Sequence, residues 1–476
     1  MWGNARALRG ERSGRRVVDR PPLHPAQRGA QVVGGALDVV DLLVELSVQR
    51  QFRRVDDGTA GEAQPGLGHK PTPDLGGGHQ TATRSQPSGW AVAPRGVMTV
   101  VPNPGYGGRP SMSARPPSRL GPPTYAGPVP LRDVPLRRLG FLTIGLFDPA
   151  DPRAGHESTL DVIALGERLG FDSAYVRHRH LQHGISSPLT FLAAATQRTS
   201  RIDLGTAVTP LGWENPLRLA EDLATVDLLS GGRLNPGVSV GPPMHFDDVK
   251  GSLYPDTADA EDFSYARVTR LLGLLRGEPA SSFSGVQGIE TFSDHVQPHS
   301  PGLASRVWYG AASLRSAAWA GEQGLSLLTS SVVKAEGDGP TYDFATIQRS
   351  QIDAFRAAHP DGAAARVSQG LVVIPTDSAT ADQRERYTAY AASRLERTAT
   401  PQGPGRLMFA PDLVGTSDEI AERLHEHAGF QAVDEVVFAL PFTFGHDDYV
   451  QIITDIAEKL GPALGWRPST DAGATA

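Results

Sequence analysis

From residue 138 to the C-terminus, short β-rich runs alternate with longer helical stretches, and this alternation leaves few folds open to the chain. Candidate strands cover 139–147, 173–177, 202–208, 234–240, 306–309, 325–329, 367–374 and 435–440. Helical stretches fall at 157–169, 188–199, 216–229, 263–275, 314–322, 342–358, 379–396 and 418–427, with 447–460 closing the chain. Repeated strand–helix units put helices on the outside of a parallel sheet. Eight of them, over roughly 250 residues plus insertions, predict an α/β fold of the closed (β/α)8 or TIM-barrel kind. Punctuation agrees: Gly170 and Gly429 stand where a glycine ends a helix, and Ser417 with Glu419 marks a helix start. Two insertions, 242–261 and 397–412, are rich in Gly, Pro and polar residues. Loops that follow barrel strands form the catalytic face, so 242–261 is the expected lid.

The first 130 residues are of another kind. They hold 17 of the 39 prolines and balance at +7, whereas the rest of the chain balances at −14. Without apolar periodicity they cannot bury a core, so a largely disordered extension is expected at 1–130, ahead of a domain at 131–470. One stretch in it, 31–49, has the pattern of an amphipathic helix. Met98 and Met112 both precede the first strand, and one of them is the expected true start of translation. Arg15-Arg16 is followed by neither an apolar region nor a cleavage site, which argues against export and for a cytoplasmic protein. Scattered arginines with few aromatics predict no nucleic-acid partner. No run of about 18 apolar residues exists, so no membrane span is expected.

Composition also removes chemistries. With no cysteine, disulfides, thiolate nucleophiles, zinc fingers and protein-held iron–sulfur clusters are excluded. No strand leads into a Walker loop or a GxGxxG turn, so tight Rossmann-type nicotinamide binding is not supported. The conspicuous constellation is Arg177-His178-Arg179-His180, with His183 close behind, just past the second strand. His178 and His180 alternate onto one face. With His295 and His299 they would furnish a metal site of hydrolase type. The alternatives are surface histidines in a polar loop, and, as the expected reading, a metal-free site in which a histidine moves protons near neutral pH. A second signal is the strand ending Trp308-Tyr309-Gly310, followed by Ala311, Ala312, Ser313 and Ser316 at a helix start. Free N–H groups and the helix dipole there would favour a phosphate.

Taken in order, "GFDSAYVRHRH" at 170–180, "SRIDLGTAV" at 200–208, "NPLRLAEDLATVDLLSGGR" at 215–233 and "VGTSDEIAERL" at 414–424 resemble the bacterial luciferase-like flavin-dependent monooxygenases. The resemblance runs over about 138–464. It implies a flavin-dependent oxidoreductase, a two-component monooxygenase using O2 and reduced FMN from a separate flavin reductase on a small organic substrate. Deazaflavin-dependent hydride transfer is the alternative within the family, and a homodimer is a further family expectation. The resemblance places the flavin at the C-terminal face of the barrel, with Ala207, Val208, Gly310, Ser313 and Ser316 as cofactor contacts. It puts the phosphate near Ser313 and Ser316, and a non-proline cis peptide at Ala207–Val208. Luciferases carry Glu-His-His after strand two, where this chain has His178-Arg179-His180. His180 matches the second histidine and is the expected acid or base. Arg179 stands in the place of the first; it can stabilise an anion or bind substrate but cannot serve as a base near pH 7. Val240 replaces the family's strand-four arginine, which removes one expected phosphate contact.

Overall fold

The computed structural model describes residues 135–336 and 343–468. The expected disordered extension, the helix at 31–49 and the two candidate starts, Met98 and Met112, lie outside these residues.

Eight parallel strands close into a barrel: β1 (Arg138–Thr143), β2 (Ser173–Val176), β3 (Asp203–Pro210), β4 (Leu234–Ser239), β5 (Trp308–Gly310), β6 (Ser326–Leu328), β7 (Val367–Gln369) and β8 (Glu435–Ala439). Each strand pairs with its neighbour in sequence, and β1 pairs with β8, Phe141 opposite Phe438. The fold is the TIM barrel that the alternation predicts. Around it lie α1 (Pro152–Arg168), α2 (Pro188–Thr196), α3 (Pro216–Ser230), α4 (Phe246–Leu253), α5 (Ala266–Leu275), α6 (Leu314–Glu322), α7 (Phe344–Ala358), α8 (Ala381–Arg394), α9 (Ser417–Glu426) and α10 (His446–Asp455). Among the described residues no helix is long and apolar enough to cross a membrane.

Local chemistry sets the helix ends. α1, α2 and α3 each open on a proline placed where the backbone N–H is not needed. Gly170 follows α1 with φ +91°, a left-handed conformation that suits glycine. Gly429 does not end a helix as expected: it has φ −68° and leads into a short turn at Phe430–Ala432. The cap of α9 is Thr416, which exchanges hydrogen bonds with Glu419, so Ser417 is the first helical residue and not the cap.

The first barrel strand and the segment that carries Trp466 meet beneath the barrel. Trp466 Nε1 and the backbone N–H of Leu139 in β1 both donate to Asp172 Oδ2 at 2.8 Å. At the same N-terminal ends of the strands, Arg138 pairs with Asp203 at 2.6 Å and Arg366 with the buried Glu435 at 2.9 Å. Charges at this face serve stability, which leaves the opposite face for chemistry.

The predicted strand seven, 367–374, runs too far: the barrel strand ends at Gln369. Past β6 the chain leaves the barrel, and Val332–Lys334 pairs antiparallel with Leu407–Phe409. Past β7, Val373–Pro375 pairs with Leu413–Gly415. The break after β7 falls at Gly370, where a Cβ would lie 2.8 Å from the Thr329 carbonyl oxygen. Both insertions are therefore more ordered than their composition implies. The 397–412 segment contributes a strand, and 242–261 carries α4. A small hairpin, Gly285–Gln287 with Glu290–Phe292, escapes the sequence reading because all six residues are exposed and show no buried face.

Candidate active site

The sequence Arg177-His178-Arg179-His180 continues β2 at the C-terminal mouth of the barrel, and its alternation splits two kinds of side chain. The histidines go one way. Their rings lie 4.3 Å apart, and His180 stacks on Trp213 at 4.0 Å. His178, with only 1% of its side chain exposed, presents Nε2 to Glu214 Oε1 at 3.7 Å. Burial is the main reason that His178 falls to about 3, with His180 adding to it and the Ser186 backbone opposing it. Burial likewise takes His180 down to about 4. Glu214 moves the other way, up to about 7, through burial and then the charge of Asp222. Near neutral pH the trio is thus two neutral imidazoles beside a half-protonated carboxyl.

The arginines go the other way. The Arg179 guanidinium lies 5.9 Å from the centre of the Phe442 ring, and Arg394 approaches the same ring at 5.5 Å. Arg177 lines a cavity of about 740 Å³ at the barrel mouth, together with Ala207, Val208, Gly310, Ser239 and Ser368. A second space of about 450 Å³ adjoins it, sharing Leu142, Arg177, Ser330, Ser331 and Ala439, and extends to Arg394 and Arg397. The Ala207–Val208 peptide is cis, as the resemblance implies.

The 242–261 segment is strapped beside the mouth by Arg267 of α5. Its guanidinium pairs with Glu261 at 2.5 Å, donates to the Leu211 and Glu214 carbonyls at 2.8 and 2.9 Å, and reaches Tyr254 Oη at 3.1 Å. Tyr254 in turn donates to the Gly212 carbonyl at 2.8 Å. The turn that carries Trp213 and Glu214 is thereby fixed to the expected lid.

The luciferase-like monooxygenase family profile matches residues 139–432, more than half of the chain. The chain belongs to this family. Among curated relatives it is 30% identical over 199 residues to an uncharacterized protein of Sinorhizobium fredii, covering 39% of this chain and 55% of that one. It is 32% identical over 143 residues to limonene 1,2-monooxygenase of Rhodococcus erythropolis, 30% of this chain and 36% of that one. It is 30% identical over 128 residues to an F420-dependent glucose-6-phosphate dehydrogenase of Amycolatopsis mediterranei, 26% of this chain and 37% of that one. These alignments span only about a third to just over half of the relatives' length. In fold, the chain is similar to the monooxygenase RslO1 of Streptomyces bottropensis, with TM-score 0.51, 19% identity, and 68% of this chain and 99% of that one covered. Apo-MsnO8 gives TM-score 0.52 at 20% identity, covering 70% and 99%.

Luciferase-like proteins include flavin monooxygenases and F420-dependent oxidoreductases, and the mouth of this barrel fits a flavin ring. Gly310 keeps the wall back, since a Cβ there would meet Val208 Cγ1 at 2.8 Å. Ser368 lines the cavity with a fully buried hydroxyl that has no hydrogen-bond partner among the described residues. Such a group calls for a polar ligand atom.

At the expected phosphate end the helix cap is internally bonded. Ser313 and Ser316 cap α6 by bonding each other: Ser316 N donates to Ser313 Oγ and Ser313 N donates to Ser316 Oγ, each at 3.1 Å. Ser316 is wholly buried and serves the helix. The next N–H, that of Leu314, donates to the Glu336 carboxylate at 3.2 Å. A phosphate arriving there would have to displace Glu336.

Other expected groups are scattered. His183 is exposed, with its ring 5.9 Å from that of Phe147. His295 pairs with Asp294 and lies beside Gly277 with His299, away from β2. Among the described residues, the groups close enough to share a metal ion are His178, His180 and Glu214, so the third donor is Glu214 and not His295. Sequence reasoning missed Glu214, Ser368, Arg394, Arg397 and Glu336. For Glu214 a signal existed: an acid just past strand three, at the face where a barrel presents its chemistry.

Proposed function

We propose that the chain is a flavin-dependent oxidoreductase of monooxygenase type, taking reduced FMN from a separate flavin reductase and acting with O2 on a small organic substrate. The observation that carries this reading is the cavity at the C-terminal mouth, walled by the cis Ala207–Val208 peptide and Gly310 and carrying the unpartnered Ser368 hydroxyl. When bound, the flavin supplies the electrons that activate oxygen. This chain's residues do the rest. Ala207, Val208 and Gly310 shape the seat of the ring, and Ser368 donates to one of its heteroatoms or accepts from one. Ser313 stands nearest the phosphate end. The Arg267 strap holds the lid segment against the mouth and keeps water out.

Proton handling falls to the trio beside the mouth. Glu214 exchanges a proton near pH 7, and His178 Nε2, 3.7 Å away, stays neutral beside it. His180 closes the other side of the group from its stack with Trp213. Arg179 and Arg177 supply positive potential at the mouth. Domain boundaries at 131–470 and a homodimer accompany this reading as family expectations.

The F420-dependent relative favours a second reading, deazaflavin-dependent hydride transfer without oxygen. Anaerobic titration of the full chain with FMN, reduced FMN and F420, followed by absorbance and calorimetry, decides between them. Preferential binding of reduced FMN is expected. Preference for F420 would transfer the assignment to hydride transfer, and binding of neither would overturn both.

A further inference from the structure

His178, His180 and Glu214 have a geometry that proton exchange alone does not require. One nitrogen from each imidazole and one carboxylate oxygen lie within 4.8 Å of one another. His178 Nε2 and Glu214 Oε1 stand 3.7 Å apart, too far for a hydrogen bond. Donors around a tetrahedral zinc ion, each bonded at about 2.0–2.2 Å, stand about 3.4 Å from one another. The trio is therefore spaced for an ion between its members more nearly than for bonds among them. Nε2 of His178 and Nε2 of His180 are both buried with no hydrogen-bond partner among the described residues. Such atoms call for a ligand, and a divalent cation is one that satisfies two imidazoles and a carboxylate at once.

The frame that holds the three donors is firm. His178 and His180 alternate onto one side of the extended chain past β2, with their rings 4.3 Å apart. Trp213 stacks on His180 at 4.0 Å and 17° between planes, and Glu214 follows it directly. The Glu214 backbone is tied at both ends: its N–H donates to the Leu211 carbonyl at 3.1 Å, and its carbonyl accepts from Arg267 at 2.9 Å. The His178 side chain is 1% exposed and that of Glu214 28%, so an ion enters past the carboxylate and ends against a buried imidazole. Closing the longer spacings falls to the partly exposed Glu214 side chain.

We propose that His178, His180 and Glu214 form a three-donor site for a divalent cation of the zinc type, with a fourth position left to water. Two imidazoles and one carboxylate favour Zn2+ or Co2+ over Mg2+ and Ca2+, which prefer sets made of oxygen alone. A bound ion would tie the end of β2 to the turn after β3 and, through Arg267, to the 242–261 segment. It takes the lone pairs that a proton would take, so a loaded chain loses the proton exchange assigned to Glu214. That consequence alone rests on the flavin reading; the site stands on the trio.

The test strips the full chain with a chelator, removes the chelator, and titrates with Zn2+ by calorimetry and with Co2+ by visible absorption. One equivalent of Zn2+ is expected to bind and to resist displacement by Mg2+ at about a thousandfold excess. Co2+ should give the intense bands of a four-coordinate ion, a readout that needs no variant. Glu214→Gln and His180→Phe, which keeps a ring on Trp213, should each weaken Zn2+ at least tenfold, and His295→Asn should change it less than twofold. Zn2+ should raise the urea midpoint of the unaltered chain and not that of Glu214→Gln. No saturable Zn2+ binding by the unaltered chain would overturn the proposal. So would the pale spectrum of six-coordinate Co2+, or an affinity that Glu214→Gln and His180→Phe leave intact. One equivalent of Zn2+ bound by a chain that takes neither FMN nor F420 would support the site while sinking the flavin reading.

Discussion

The backbone N–H of Leu314, at the first turn of α6, donates to the side chain of Glu336 across 3.2 Å. A carboxylate thus occupies the positive pole where a flavin phosphate would sit, and two negative groups compete for one helix end. Glu336→Gln is expected to tighten FMN binding about fivefold, the scale of one charge at a helix terminus. Riboflavin, without a phosphate, should change less than twofold. An unchanged ratio of the two affinities would show that the phosphate binds elsewhere.

The trio beside the mouth predicts an unusual dependence of stability on pH. His178 and His180 sit near 3 and 4 in the folded chain against an ordinary 6.5, so the unfolded chain takes up those protons first as pH falls. Their contribution is present above pH 6.5 and is lost on acidification. Glu214 has the opposite sign: raised from 4.5 to about 7, it stabilises the folded chain at low pH and loses this as pH rises through 7. Between pH 4.5 and 6.5 two protons work against one, and stability should rise with pH. In urea melts with a chelator present, a His178→Asn/His180→Asn double variant should differ from the unaltered chain by a slope of about two protons across that window. Parallel slopes would refute the neutral imidazoles.

Gly310→Ala tests the ring seat. The added methyl would meet Val208 Cγ1 at 2.8 Å, and the β-branched Val208 has little rotamer freedom with which to retreat. Flavin affinity should fall about tenfold, roughly 1.4 kcal/mol. Far-UV circular dichroism should be unchanged. Retained affinity would mean that the ring does not reach this wall.

Asp412→Ala would strip the carboxylate from Arg394 in a site where both side chains are almost wholly buried. The expected cost is about 3–5 kcal/mol, because an uncompensated guanidinium is left inside. Urea unfolding measures it. Asp412→Ala/Arg394→Met, which removes both charges, should recover much of the loss.

The barrel was readable because its strands are short and most are followed by a helix that opens on a proline or a capping side chain, signals that lie within a few residues of one another. The departures come from contacts made across long stretches of chain. Nothing near Gly370 reveals that Thr329 will stand 2.8 Å from where its Cβ would be, so strand seven looks continuous. The same holds for the site. The alternation in Arg177-His178-Arg179-His180 can be read in place, and it sorts the side chains as expected. Glu214, Glu336, Arg394 and Arg397 come to the mouth from three later segments, and each looks like an ordinary charged residue on its own. Ser316 could be read in place as a helix-start hydroxyl, and the structure adds that it bonds Ser313 in the cap.

The seam of the barrel has a consequence for how the protein is made. β1 begins at Arg138, its partner β8 ends at Ala439, and Trp466 completes the bond that holds Asp172 to the first strand. About 300 residues must therefore emerge from the ribosome before the ring can shut. Until then both edge strands are open to other chains. Ring closure waits on synthesis of the segment that carries Trp466, and nascent chains stalled short of it should be the ones that chaperones hold.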